Sequence, residues 1–371
     1  MKHYFLIIIL LLTMTTIAQD EPISSTYRGD SARTGVYDAP AITDLPTVLW
    51  EVDSRRPSRT TPVIANNIAY FGNEAGDYTA LNALTGEQIW QRTFDESLVS
   101  TAAIQDDFLV VGSLDNIIYA LNTLTGDDIW QFETDGQVYS SPLIADDTVY
   151  IGSRDNHLYA LNLADGTEIW RFDTGGQVWS SPAIANGIIY IGNRAGDILA
   201  LDAVTGDELW RLSTGNTSPI DASPAVIDNV VYIGVGDGRF FALDALSGNE
   251  IWETDLDGGR IYASAAVDDE RVYIFAIDGN LHALDRSTGV ILWQFALGNP
   301  AYSSPTVVED VVYALSEKDG LMYALDTQTG DELWRYQTGA QGDWRSAHPV
   351  FENGILYITS NTRGLIALSN P

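Results

Sequence analysis

The chain of 371 residues contains no cysteine. No disulfide can staple it, and no thiolate is available for metal or nucleophilic chemistry. No thiol exists to carry a lipid, so a lipoprotein anchor is not expected. Lysine is almost missing: Lys2 and Lys318 stand beside 17 arginines, against 51 acidic residues and a formal net charge of −32. A phosphate backbone needs clustered cations, which argues against nucleic acid as a partner. The four histidines, His3, His157, His282 and His348, are too scattered for metal-site spacing. There is no Gly-x-Ser-x-Gly nucleophile elbow. No window shows helical periodicity of useful length. Long apolar runs are also lacking: the stretch from Phe5 to Leu12 is too short to span a bilayer.

That short run has another reading. Met1 and Lys2 precede it, and Thr16-Ile17-Ala18 follows, which is the order of a secretory signal peptide. Cleavage is expected after Ala18, giving a soluble exported protein, periplasmic or secreted. The acidity then reads as a solvated shell, or as a face that recruits a cationic partner or calcium.

What is abundant is repetition. Trp50, Trp90, Trp130, Trp170, Trp210, Trp252, Trp293 and Trp334 recur at an almost constant interval. A fixed period of roughly 40 residues means one supersecondary unit copied many times. In the third unit, Tyr139 to Ile144, Thr148 to Gly152, His157 to Leu161 and Glu168 to Phe172 read as four short strands. Each is rich in β-branched or aromatic residues and bounded by Gly, Asn or Asp. The turn before each of these tryptophans except Trp50 pairs an Asx with a glycine four residues on, as in Asn162 and Gly166. The Asx side chain can accept backbone N–H groups, and the glycine can take the left-handed conformation of a bulged turn.

A single meander cannot bury both of its faces, whereas radial repetition can. The expected fold is all-β: an eight-bladed β-propeller of four-stranded antiparallel blades, with the structural tryptophans packed between sheets. After Trp334 only three strands remain. The fourth strand of the last blade is expected from Thr47 to Val52, so both termini close the ring. The expected organisation is a signal peptide over 1–18, a leader over 19–44 and the propeller over 45–371.

The recurring Ala-Leu-Asp-x-x-Thr-Gly-x-x-x-Trp pattern resembles the pyrroloquinoline-quinone (PQQ) type repeat. The segment Tyr27-Arg-Gly-Asp-Ser-Ala-Arg-Thr-Gly35 is similar to the entry segment of exported PQQ-like repeat proteins. Families with this repeat include quinoprotein alcohol dehydrogenases and the outer-membrane barrel-assembly lipoprotein. The resemblance implies the fold; it implies no bound cofactor.

Function must be sought where the units differ. One register at the start of each innermost strand varies: Arg59, Val99, Tyr139, Trp179, Asp221, Tyr262, Tyr302 and Ser346. These should ring one channel mouth, where aromatics with an arginine and an aspartate could grip a planar or anionic ligand. The same residues could instead pack across a plugged or water-filled channel. A second cluster, Trp344, Arg345 and His348, breaks the repeat beside Arg55, Arg56 and Arg59. It could hold an anion or a peptide, or fasten the seam.

The leading expectation is a non-catalytic, monomeric envelope scaffold that binds a protein or peptide, with no cofactor. One alternative is a PQQ-dependent oxidoreductase with PQQ and calcium at the channel mouth. Trp179 could then stack on the quinone, although the cysteine pair such enzymes use is absent and no calcium ligands map onto the chain. Another alternative is a small-ligand or carbohydrate-binding module using the aromatic ring.

Overall fold

The computed structural model describes residues 24–54, 56–58, 60–215, 218–257, 259–299, 302–316, 318–339 and 348–371. The expected signal peptide over 1–18 lies outside them. Among the described residues there is no helix, and hence none long and apolar enough to cross a membrane. Eight antiparallel sheets form the propeller. Blades 1 to 7 span 63–93, 103–133, 143–173, 183–213, 225–255, 266–296 and 306–337. Blade 8 joins Val350–Glu352, Ile355–Ser360 and Gly364–Ser369 to Thr47–Val52, with Trp50 opposite Ala367. Both ends of the chain therefore build one sheet, as expected from the three-strand remainder.

The blade tryptophans stand between sheets. The Trp130 indole lies against the turn glycine of the next blade: a Cβ on Gly166 would sit 2.6 Å from Trp130 Cδ2. That glycine also has φ +72°, so both space and backbone conformation demand it. The indole N–H of Trp130 donates to the Leu163 carbonyl in the same turn, at 2.7 Å. At most junctions a second-strand tyrosine joins in. Tyr150 and Trp170, for example, both donate to the Ala203 carbonyl, at 3.0 and 3.1 Å. One carbonyl thus anchors two buried aromatics whose polar ends would otherwise lack partners.

Blade 8 has no such turn, because its third and fourth strands come from opposite ends of the chain. The leader supplies the missing carbonyl. Ile42 O accepts Trp334 Nε1–H at 2.8 Å and the Tyr313 hydroxyl at 3.1 Å. Ile42 itself is wholly buried.

The leader also closes one end of the central channel. Ser24–Ser25 pair with Ile104 and Gln105 of blade 2. Further along, the carbonyls of Ser31, Ala32, Thr34 and Gly35 accept N–H groups of Ile184, Val226, Val267 and Val307 in blades 4 to 7. The side chains of Arg28 and Arg33 turn into the axis and are fully buried. Arg28 donates to the carbonyls of Pro305 and Ala265, both at 2.6 Å. Arg33 donates to those of Pro182 (3.0 Å) and Pro142 (2.8 Å), and also to Tyr27 O and Thr26 Oγ1. Two arginines therefore tie four blades together.

The innermost strands are shorter than expected. In blade 3 the strand is Leu143–Ala145, not 139–144. The residues before it turn their backbone toward the neighbouring blade: Ser141 N–H donates to Ser181 Oγ at 2.9 Å, so it cannot pair within its own sheet.

Candidate functional site

The end of the channel away from the leader is the aromatic mouth. Val99, Tyr139, Trp179, Asp221, Tyr262 and Tyr302 line one cleft of about 190 Å³ there. Arg59, Trp344 and Arg345 lie outside the described residues, as does Ser346.

Tyr139 and Trp179, from adjacent blades, stack with ring centroids 4.5 Å apart and planes inclined by 4°. The Arg194 guanidinium sits 4.0 Å from the Trp179 ring centre. Two groups this close cannot share one face, so the indole is held between Tyr139 and Arg194. Arg154 approaches both rings, at 5.6 and 5.4 Å. Such cation–π contacts are worth about 0.5–1 kcal/mol at an exposed site and more when desolvated. Asp221 orients Arg194, with Oδ1 3.4 Å from Nε. Across the mouth, Tyr262 and Tyr302 lie 5.7 Å apart, and Arg260 donates to the Tyr262 hydroxyl at 3.2 Å.

Sequence reasoning missed Arg154 and Arg194. They occupy the same position of the second hairpin turn in consecutive blades, where other units carry Glu74, Leu114, Gly236 or Ile277. The signal was there: two successive arginines in a variable turn, each backed by the loop before an aromatic. Arg154 N and Arg194 N donate to the carbonyls of Gln137 and Gln177, which places these turns beside the mouth.

Below the aromatics lies a belt of hydroxyls. Thr101 N–H donates to Ser141 Oγ, Ser141 N–H to Ser181 Oγ, Ser181 N–H to Ser223 Oγ, Ser223 N–H to Ser264 Oγ and Ser264 N–H to Ser304 Oγ, all at 2.9–3.0 Å. His348 holds the equivalent position in blade 8. Its place is thus one level below the mouth, where it is buried, with Nδ1 3.0 Å from Thr61 Oγ1. Tyr27 of the leader makes the floor: its hydroxyl is 3.4 Å from Ser264 Oγ and its ring meets the His348 ring edge-on at 5.0 Å. Burial, and then the charges of Arg28 and Arg33, push the His348 pKa well below its usual value, so the imidazole is neutral. Burial likewise lowers Arg33 to about 10, which leaves it charged at neutral pH.

The described residues of this mouth do not fit a quinone cofactor with its metal. Both faces of Trp179 are covered. The cleft is also smaller than the pockets that hold such ligands, which begin at roughly 300 Å³. Among the described residues no group of three metal-ligating side chains comes together.

The comparisons agree with this architecture. The family model described as outer membrane protein assembly factor BamB matches residues 42–143, 134–265 and 236–370. The chain belongs to this family. Among solved structures, BamB from Moraxella catarrhalis superposes with a TM-score of 0.75 at 20% identity, over 88% of this chain and 98% of that one. The computationally designed Ika8 protein gives a TM-score of 0.75 at 19% identity, over 87% and 99%. The quinohemoprotein alcohol dehydrogenase of Comamonas testosteroni gives 0.81 at 16% identity, over 95% and 81%. At these identities the likeness is one of fold. No curated protein matches the sequence.

Proposed function

We propose that this member of the BamB family is an exported scaffold of the cell envelope that binds a protein or peptide at its aromatic mouth. The observation that carries the reading is the Tyr139–Trp179–Arg194–Asp221 group: Tyr139, Trp179 and Asp221 stand in a register where the repeats diverge, and Arg194 reaches them from a hairpin turn that varies as well. Tyrosine, tryptophan and arginine are the side chains that dominate protein recognition, because they combine large area with a polar end. A scaffold built from one repeated unit has no use for different side chains at one level unless they meet something. The family's name, an outer membrane protein assembly factor, supports an envelope location, and so does the reading of residues 1–18 as an export signal. The partner is a protein segment, and the scaffold acts as a monomer.

Photo-crosslinking tests the proposal. A photoreactive group is placed at Tyr262, and the protein is incubated with envelope extract. One protein should be crosslinked in stoichiometric amount, and Trp179→Ala with Arg194→Ala should abolish the adduct. An adduct unchanged in the double variant would overturn the assignment of the mouth.

A further inference from the structure

The axis carries positive charge in a protein that is otherwise strongly acidic. Arg28 and Arg33 are fully buried, and among the described residues the atoms they hydrogen-bond are carbonyl oxygens and the Thr26 hydroxyl, not carboxylates. Asp30, the acid between them in sequence, hydrogen-bonds the N–H and hydroxyl of Thr34 and acts on both arginines through its charge without pairing with either, so one negative charge stands against two positive ones. Carbonyl dipoles solvate a guanidinium but do not cancel its charge, and its field is screened less inside the protein than in water.

The hydroxyl belt lies above these arginines, with the Tyr27 ring as the floor between: the Arg33 guanidinium is 5.3 Å from the centre of that ring. Ser141, Ser181 and Ser223 each accept a neighbouring blade's N–H. A hydroxyl that accepts at one lone pair still has its own proton to donate. His348 adds a further group: its Nε2 is buried and has no hydrogen-bond partner among the described residues. Nδ1 shares a hydrogen bond with Thr61 Oγ1; in the site proposed below Thr61 is the donor, which puts the proton of the neutral ring on Nε2. A set of O–H and N–H donors over two buried cations is built to receive an anion.

We propose that the channel below the mouth binds a carboxylate, received by the serine belt and His348 Nε2–H above Arg28 and Arg33. The buried guanidiniums exclude a cation. The volume, about 190 Å³, admits a carboxylate with the residue that bears it, and the rest of a longer ligand would lie outside the cleft. The inference rests on the peptide-binding reading in one respect: a peptide offers carboxylates at its C-terminus and on Asp or Glu, and either would enter end-on past Tyr139 and Trp179.

The test follows the backbone amide resonances of Ser141, Ser181 and Ser223 in the full chain. Sodium acetate should shift them saturably, whereas acetamide and inorganic phosphate should not. A short peptide with a free C-terminus should bind more tightly than acetate, and its C-terminal amide at least about tenfold more weakly, as expected for losing charge-assisted hydrogen bonds. An amidated peptide with one internal aspartate tells side chain from terminus, and binding by either carboxylate supports the site. His348→Leu should weaken acetate binding while the melting transition reports an intact fold. If acetate shifts the belt amides but no peptide binds, the carboxylate site stands and the peptide reading falls. If peptides bind equally with and without a carboxylate, or if acetamide or phosphate reproduces the acetate shifts, the proposal is overturned while the mouth keeps its role.

Discussion

Trp334 donates its indole N–H to the carbonyl of Ile42, 292 residues earlier in the chain, at 2.8 Å. Every other blade junction finds that acceptor in a turn of the next blade. Here no such turn joins the third and fourth strands of blade 8, because the fourth, Thr47–Val52, comes from the N-terminal side. The leader is therefore part of the seam, and its removal should act on stability. Ile42→Ala deletes a wholly buried side chain and should cost about 2–5 kcal/mol. Denaturant unfolding with the wild type alongside measures it. A change no larger than that of an ordinary surface substitution would mean that the seam does not depend on the buried Ile42 side chain.

The axial arginines should be still less replaceable. Arg33→Met leaves the carbonyls of Pro142, Pro182 and Tyr27 without their donor in the interior, and a lysine cannot reproduce the fork that spans two blades. Arg33→Lys should lower the unfolding midpoint, and Arg33→Met should do so by more, on the order of 3 kcal/mol. Equal stability of all three proteins would show that the plug contributes nothing.

At the mouth the expectation is the reverse. Tyr139 and Trp179 stack at the surface of the channel, not between sheets, so Trp179→Ala should shift the melting temperature little. Two parallel aromatic rings at 4.5 Å should give a near-ultraviolet circular dichroism signal, and the substitution should remove it. Collapse of the fold in this variant would move Trp179 from the recognition surface to the core.

His348 makes stability depend on pH. Its folded-state pKa is depressed by burial and by Arg28 and Arg33, while the unfolded chain titrates near the ordinary 6.5. Below that value the unfolded state takes up a proton the folded state refuses. The linked contribution is thus fully present above 6.5 and is lost as the pH falls toward the folded-state value. The difference in melting temperature between wild type and His348→Gln should narrow, or turn in favour of the variant, as the pH drops from about 7.5 to about 5. A pH-independent difference would contradict a buried neutral imidazole.

Gly166→Ala tests the blade junctions. The residue has φ +72°, and the added methyl would lie 2.6 Å from the Trp130 indole. Left-handed strain and overpacking together should cost about 2–4 kcal/mol by chemical denaturation. Near-neutral behaviour would mean that the indole can leave its place without penalty.

Much of the molecule was legible in advance. A tryptophan at a nearly constant interval and an Asx four residues before a glycine imply one folded unit, and a three-strand remainder implies closure by the segment around Trp50. The register of the mouth followed from aligning the units, and Val99, Tyr139, Trp179, Asp221, Tyr262 and Tyr302 do share one cleft. Arg154 and Arg194 were not found, because the alignment followed the inner strand, while a side chain from the neighbouring hairpin turn reaches the same space. The place of His348 was also hidden. It looked like part of a break in the repeat, yet it stands in for a belt serine, since blade 8 keeps the register and changes the residue.

Repetition by itself determined the number of blades, their strand order and the tryptophan wedges, because each unit repeats the same local hydrogen-bond and packing solution. The closed lower end of the channel was decided only in three dimensions. Nothing local marks Arg28 and Arg33 as buried: two arginines in a polar leader read as surface residues. They go inside because four carbonyls, contributed by blades far further along the chain, converge on the axis once the ring has formed.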